Sequence, residues 1–317
     1  MKPQQIRNSF LLLLAACVWG VAFVAQSVAM DYIGPFTFSC VRFLLGGAVL
    51  LPVIGIFSLF QKKQVPACGA SASEGDDNTF SASKISFWQR NKTLIIGGIC
   101  CGIALCVANN FQQVGIVTTS AGKAGFITAF YIVFVPILSL FFGKKSRLLI
   151  WISVALALGG LYLLCVTESF SINRGDIYIL ICDIVFSAHI LIVDHFSPLV
   201  DGVKMSCIQF FVAGLLSAIP MFLFEDPSFA QLKAASVSIL YAGIMSCGVA
   251  YTLQIVGQKN MNPTIASLIL SLESVVSVLA GWIILHQALS TREIIGCILM
   301  FAAIILAQLP EKNHQRS

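Results

Sequence analysis

One acidic residue, Glu273, lies deep inside a long apolar stretch of the sequence. At 1.5 Å per helical residue it is about 16 Å from either end of the stretch 262–285, too deep for its carboxylate to reach water. Such a group must be paired, protonated or hydrated, so it could carry a proton or bind a substrate ammonium group. A static hydrogen bond to a neighbouring helix is the alternative. Asp183 and His189 are further candidates for proton handling, or for structural roles.

Two cations also lie within apolar stretches, and both are placed toward the same side of a membrane. Arg42 is about 10 Å inside the stretch 35–60, and Lys123 is about 8 Å inside the stretch 118–142. Together they could form a cationic lip over a central cavity, suited to a carboxylate or a phosphate. The alternative is that both side chains extend along their alkyl stems to the lipid headgroups.

Three neutral amides follow the spacing of one helix face. Asn109, Gln112 and Gln113 are separated by three and four residues, so they point in a common direction that should not face lipid. They could line a cavity or hold helices together. Trp19 and Tyr131 could form aromatic walls of a substrate pocket, although aromatic side chains are also ordinary packing material.

Motifs for cofactors and for covalent chemistry are missing from the sequence. Residues 143–146 (GKKS) lack the upstream glycine and the strand of a nucleotide-binding loop, and no serine-hydrolase or zinc-protease motif is present. Ten of the eleven cysteines lie inside apolar runs, and none has zinc-ligand spacing with histidines. We therefore expect no cofactor, no metal, no disulfide framework and no enzymatic activity.

The composition predicts the class of protein that must position these residues. Of the 317 residues, 58% are apolar and 10% are charged, against about 45–50% and about 25% in soluble domains. The apolar residues run along the whole chain without the alternation of a barrel strand, which predicts an all-α polytopic membrane protein. The net charge of +5 comes from residues in the loops and does not indicate a nucleic-acid-binding patch. We therefore expect a lipid bilayer, and not a nucleic acid, as partner.

Apolar runs bounded by charges, Gly and Pro predict ten transmembrane helices, called spans 1 to 10 below. Their predicted ranges are 9–29, 35–60, 93–115, 118–142, 148–166, 176–194, 204–224, 236–257, 262–285 and 291–309. Fourteen of the nineteen Lys and Arg residues fall on the side of the N-terminus, so both termini are predicted to be cytoplasmic in a plasma (inner) membrane. Gly98 and Gly102 predict close helix packing within the bundle.

The two halves of the chain resemble each other. Residues 39–43 (SCVRF) match residues 206–210 (SCIQF) at an offset of 167, and Gln112 matches Gln254 at an offset of 142. The difference of 25 residues predicts an insertion at about 61–92, which reads as a disordered cytoplasmic loop. Because each half holds five spans, we expect a 5+5 inverted-topology repeat, with residues 1–166, residues 167–309 and a cytoplasmic tail 310–317. Chance similarity between apolar helices is the alternative.

Several stretches resemble one transporter family. They are residues 16–23 (ACVWGVAF), 34–35 (GP), 41–45 (VRFLL), 266–273 (ASLILSLE), 281–282 (GW) and 288–290 (ALS). They are similar to EamA-type members of the drug/metabolite transporter superfamily, and the resemblance implies a ten-helix 5+5 fold of secondary transporters for small metabolites, often exporters. Where that family commonly has Pro after the acidic residue of span 9, this chain has Ser274, which removes one expected cause of a kink.

These observations predict an exporter of a small polar or amphipathic metabolite, amino-acid-like or related, that works by alternating access. Proton coupling through Glu273 is a hypothesis that rests on its depth. The alternatives are a membrane-embedded enzyme that acts on a lipid or lipid-linked substrate with Asp183, His189 and Glu273 as acid–base groups, and a helper protein that does not transport. The residues leave open whether the chain forms a homodimer.

Overall fold

The computed structural model describes residues 3–63, 87–119, 121–143, 147–165, 173–285 and 290–309. Within these residues the chain is helical and has no strand, which confirms the predicted all-α class. Nine of the described helical stretches are long and apolar enough to cross a membrane, and a tenth apolar helix, Leu148–Leu163, is shorter. Most of the predicted insertion 61–92, and the predicted tail 310–317, lie outside the described residues.

The ten spans begin and end within three residues of the predicted positions, except that spans 1 and 3 each begin six residues earlier. They are Pro3–Ala29, Pro35–Lys63, Phe87–Ile116, 121–141, Leu148–Cys165, Arg174–Phe196, Gly202–Phe224, Ser236–Gln258, 263–285 and Thr291–Gln308. Successive spans run in opposite directions. We call the end of the bundle where span 1 begins the Pro3 face, and the end where span 1 finishes the Ala29 face.

Span 2 packs along span 7, span 5 along span 10, and span 3 along spans 6 and 7. Glycines permit the closest of these approaches. A Cβ added to Gly98 would lie 2.5 Å from a methyl carbon of Ile208, and one added to Gly102 would lie 2.6 Å from Cβ of Val212. The two glycines of span 3 therefore serve packing within the bundle, as predicted.

Spans 4 and 9 are each broken near the middle. Span 4 consists of Ala121–Thr128 and Tyr131–Phe141, and span 9 of Pro263–Leu270 and Leu272–Leu285. Span 9 breaks although Ser274 replaces the proline that commonly causes a kink. Ser267 and Ser271 instead donate hydrogen bonds to carbonyls three residues earlier, at 2.9 and 2.8 Å, which competes with the regular helix pattern.

Span 8 departs from an α-helix as well. Its central part, Tyr241–Tyr251, is a π-helix, a rare conformation that occurs often at functional sites. The corresponding part of span 3 is a regular α-helix. Large apolar side chains such as those of Leu51, Ile219 and Ile298 stay exposed on the outside of the bundle, as expected for surfaces that face lipid.

Candidate functional site

The breaks in spans 4 and 9 border a small cavity at the centre of the bundle. Seven spans line it, namely spans 1, 2, 3, 4, 6, 8 and 9. Its polar lining is Gln26, Arg42, Asn109, Gln112, Thr128, Ser246, Gln254 and Glu273, and its aromatic lining is Trp19, Phe23, Tyr131, Phe186 and Tyr251. The cavity volume is about 40 Å³, enough for a few water molecules, so a metabolite can enter only if the spans move apart.

Arg42 supplies the positive charge of the cavity. Its side chain is only 2% exposed, so it does not extend to the lipid headgroups. The guanidinium donates hydrogen bonds to Oε1 of Gln26 at 2.9 Å and to Oδ1 of Asn109 at 2.6 Å. It also lies 5.0 Å from the ring centroids of Phe38 and Phe43. The partners named here are neutral, so a bound anion would be the complement of this cation.

Glu273 lies just after the break in span 9, in the first turn of Leu272–Leu285. The residue lines the cavity and is 4% exposed. Tyr131, which begins the second part of span 4, donates its hydroxyl to Oε1 of Glu273 at 2.9 Å. The two predicted residues therefore meet, and they connect the two broken spans across the cavity. This contact supports a static hydrogen bond for one carboxyl oxygen and leaves the role of the other oxygen as a prediction.

The predicted amide stripe of span 3 divides between two environments. Asn109 and Gln112 line the cavity, and the amide of Gln112 donates to Oγ1 of Thr128 at 3.2 Å. Gln113 is fully buried and does not appear in the lining; its amide donates to the backbone carbonyl of Gln26 at 3.4 Å. Span 3 thus provides both of the predicted roles, cavity lining and attachment to another helix.

Lys123 does not join Arg42 at the cavity, and the predicted cationic lip is not formed by these two residues. Nζ of Lys123 lies 2.5 Å from Oδ2 of Asp176, at the Ala29 face between spans 4 and 6. Asp176 also accepts a hydrogen bond from Thr119 at 3.0 Å and one from the backbone of Asn173 at 2.8 Å. A carboxylate on a neighbouring span therefore binds this cation, and the sequence spacing alone did not reveal that carboxylate.

Asp183 and His189 are fully buried in span 6 but do not line the cavity. Both carboxyl oxygens of Asp183 lack a hydrogen-bond partner among the described residues, and an ionised carboxylate in that position would be costly. Nε2 of His189 lies 3.2 Å from Oε1 of Gln209. Of the three proton-handling candidates, Glu273 therefore lines the cavity, whereas Asp183 and His189 are buried in the protein interior away from its lining.

Sequence reasoning missed Tyr251 and Gln254 of span 8. The hydroxyl of Tyr251 accepts a hydrogen bond from Asn109 at 3.2 Å, and its ring meets that of Trp19 edge-on, with centroids 4.6 Å apart. Gln254 lines the same cavity as Gln112. A signal was available, because Tyr251 and Gln254 lie 142 residues after Asn109 and Gln112, the offset of the internal repeat.

Three polar atoms on cavity-lining side chains are buried without a hydrogen-bond partner among the described residues. They are the indole N–H of Trp19, the Nε–H of Arg42 and the amide oxygen of Gln254. A ligand would satisfy them by offering an acceptor to the two donors and a donor to the amide oxygen. Within the described part of the chain, no group of three His, Cys, Asp or Glu side chains is arranged for a metal ion.

Comparison with known proteins adds a family to this geometry. The model of the EamA-like transporter family matches residues 7–166 and residues 173–309. An uncharacterized transporter of Archaeoglobus fulgidus is 29% identical over 303 residues, 94% of this chain and 84% of that protein. The uncharacterized transporter YoaV of Bacillus subtilis is 22% identical over 297 residues, 91% and 92% of the two chains. A protein crystal structure shares the fold, with a TM-score of 0.71, 17% identity and coverage of 95% and 96%.

Proposed function

Because the chain belongs to the EamA-like transporter family, as its motifs predicted, we propose that it is a secondary transporter that exports a small amphipathic metabolite by alternating access. The chain is a multi-pass membrane transporter. In our proposal residues 1–166 and 167–309 act as the two repeats, and the Pro3 face is cytoplasmic because most of the Lys and Arg residues fall on that side. The membrane in this proposal is the plasma (inner) membrane.

The observation that carries the proposal is that a cationic side chain and a carboxyl group line the same cavity. Arg42 and Glu273 come from different halves of the chain, and both line the cavity together with aromatic and aliphatic side chains. An anionic group of a solute would bind Arg42 and the indole N–H of Trp19, and a cationic group would bind Glu273 and Gln254. The substrate class is therefore a zwitterion with an apolar body, such as an amino acid with an aliphatic side chain.

Three related compounds test this class, because each differs from the next by one charged group. Leucine carries both groups, 3-methylbutylamine lacks the carboxylate, and 4-methylpentanoate lacks the ammonium group. At 100 times its dissociation constant, a ligand that binds only the folded protein adds about 2.7 kcal/mol to its stability. We expect leucine, and neither single-charge analogue, to raise the thermal unfolding temperature of the protein purified in detergent.

Matched variants connect that effect to the cavity. Arg42→Gln and Glu273→Gln should each weaken leucine binding at least about tenfold, since each removes one ion pair with the bound solute. Arg292→Gln is the control, because Arg292 stacks on Tyr162 of span 5, 6.0 Å from the ring centroid, and is not among the residues that line the cavity. Equal stabilisation by all three compounds, or an equal loss in the control, would overturn the zwitterion site.

Proton coupling is part of the same proposal. Glu273 lines the cavity, and Asp183 is a buried carboxyl group without a hydrogen-bond partner among the described residues, so both could hold a proton during the cycle. In proteoliposomes we expect a pH gradient to drive leucine uptake by the native protein and by His189→Gln. Glu273→Gln should abolish the dependence on the gradient and Asp183→Asn should reduce it. Unchanged pH dependence in both carboxyl variants would refute the coupling.

The transported solute itself distinguishes the proposal from the enzyme alternative. Mass spectrometry of the vesicle contents should recover leucine unchanged after transport. A covalent product that depends on Glu273, Asp183 and His189 would instead support a membrane-embedded enzyme. Stabilisation by no solute, with no uptake, would support a helper protein.

A further inference from the structure

Some contacts between the two halves join positions that correspond in the internal repeat. Tyr131 with Glu273 and Asn109 with Tyr251 are hydrogen-bonded pairs 142 residues apart. The broken spans confirm this offset, since Ala121–Thr128 and Pro263–Leu270 are each eight residues long and begin 142 residues apart. In each such pair one residue is the counterpart of the other, so the pair lies on the pseudo-twofold axis.

Correspondence predicts how each contact changes during transport. If alternating access exchanges the conformations of the two halves, a contact between two counterparts is converted into itself and persists. For any other contact between the halves, the exchange brings together a different pair of residues. These are the two residues at the repeat-equivalent positions, one from each half. The chemistry of those counterparts then determines whether the other state can form an equivalent contact.

The ion pair between Lys123 and Asp176 belongs to the second class. At the offset of 142 the counterpart of Lys123 is Ile265, and at the offset of 167 the counterpart of Asp176 is Ser9. The offset of 167 holds for span 6, since Ala29 and Phe196, which end spans 1 and 6, differ by that number. An isoleucine and a serine form no ion pair, so the exchanged state has no equivalent of this contact.

The structure shows different contacts at the two corresponding places. At the Ala29 face, the Lys123–Asp176 ion pair joins spans 4 and 6, and the two side chains are 18% and 6% exposed. At the Pro3 face, Ser9 and Ile265 line a pocket of about 320 Å³, and spans 1 and 9 pack on each other. No ion pair between described residues joins spans 9 and 1 there, so only spans 4 and 6 are tied by charge.

From this difference we propose that the Lys123–Asp176 ion pair is a latch of one conformational state. It holds the Ala29 face closed, and it must break before the Ala29 face can open. Tyr131–Glu273 and Asn109–Tyr251 are the contacts that persist in both states. The two states are consequently unequal in energy, and the resting protein closes the Ala29 face. The inference rests on the proposed alternating access.

Distances between spin labels on two pairs of exposed positions test the latch. One pair, at Asp31 and Arg174, reports on the Ala29 face, and the other, at Ile6 and Lys259, reports on the Pro3 face; each pair joins one exposed position from each half. In Lys123→Met we expect longer distances for the first pair and shorter distances for the second. The ratio of the two states should change by about tenfold, which corresponds to about 1.4 kcal/mol.

Two further variants keep the test specific. Lys123→Arg retains a cation for Asp176 and should leave both distance distributions close to those of the native protein. The double substitution Ser9→Asp with Ile265→Lys places an ion pair at the Pro3 face, so it should produce the same reciprocal change as Lys123→Met without removing any native charge.

The outcomes separate a latch from a static support. A lower unfolding temperature of Lys123→Met without a reciprocal change in the two distances would show that the ion pair only stabilises the fold, and would overturn the proposal. A native-like distribution in Ser9→Asp with Ile265→Lys would also overturn it. The measurement needs no substrate, so its failure is distinguishable from failure of the leucine assays.

Discussion

The start of span 2 depends on an acidic residue that lies far away in the sequence. Oε1 of Glu225, just after span 7, accepts a hydrogen bond from the backbone N–H of Phe36 at 2.9 Å. Oε2 accepts two from Thr37, at 2.7 Å from its backbone N–H and at 2.6 Å from its hydroxyl. Glu225 therefore caps a helix of the other half. Gly34 allows it to approach, since a Cβ there would lie 2.4 Å or less from the carboxyl atoms.

Span 7, the counterpart of span 2, provides a matched control. Its N-cap is Asp201, whose single oxygen Oδ1 accepts from Val203 and Lys204, each at 3.0 Å. Asp201→Asn keeps that oxygen, and Asn and Asp are equally good caps, so it should cost only about 0.3–1 kcal/mol, which the lost negative charge contributes at a helix N-terminus. Glu225→Gln cannot keep both acceptors, since one carboxyl oxygen becomes an amide that faces an N–H donor.

Glu225→Gln should lower the free energy of unfolding by about 2 kcal/mol. One hydrogen bond to a charged group contributes about 1.5–3 kcal/mol, taken near its lower end because Glu225 is partly exposed. Loss of the negative charge at a helix N-terminus adds about 0.3–1 kcal/mol. Scaled to a chain of this length, the thermal midpoint in detergent should fall by roughly 3 °C. Equal midpoints for Glu225→Gln and Asp201→Asn would refute the idea that this cap between the two halves stabilises the fold.

Two other substitutions test the packing and the centre of the bundle. Gly102→Ala should lower the unfolding temperature, since its Cβ would overlap Val212 at a typical cost of about 1–3 kcal/mol. Gly159→Ala should leave it equal or higher, because that glycine has open space and alanine favours a helix; equal losses would contradict the close approach. Tyr131→Phe removes the donor to Glu273 and should cost about 1–3 kcal/mol in detergent unfolding, and an unchanged midpoint would show that the hydrogen bond contributes little.

Hydropathy was sufficient to predict the spans, because burial in a bilayer requires long apolar helices whatever their partners are. It was not sufficient to predict the breaks in spans 4 and 9. The break in span 9 follows from hydroxyl groups of Ser267 and Ser271 that bond to nearby carbonyls, and Ser in an apolar helix is equally compatible with a straight helix.

Depth in a span predicted that Glu273 has no access to water and left open whether Arg42 reaches the lipid headgroups; both are buried at the cavity. Depth does not reveal partners. Lys123 was assigned to the same lip as Arg42 because both lie at similar distances from one side, but its partner Asp176 is on a span more than fifty residues away. Such a pairing depends on which spans are neighbours, and that information lies in the packing of the bundle.

The internal repeat held more information about the site than the individual residues did. Applied to Asn109 and Gln112, the offset of 142 leads directly to Tyr251 and Gln254. It also connects Tyr131 with Glu273, two predicted residues whose contact was not foreseen. Because residues on a pseudo-twofold axis must face their own counterparts, the offset predicts contacts that hydropathy and single motifs cannot.

The repeat also explains why the charges of the cavity occur in only one half at each position. Two carboxylates at the positions of Tyr131 and Glu273 would face each other at hydrogen-bond distance and could not both ionise. A tyrosine there supplies a donor, which satisfies the carboxyl oxygen in either state of the cycle. The counterpart of Arg42 is also neutral, namely Gln209, although the contacts of Arg42 are with Gln26 and Asn109. In the proposed alternating access, the centre would keep one cation and one carboxyl group while the two halves exchange conformations, and a zwitterionic solute would meet the same chemistry from either face.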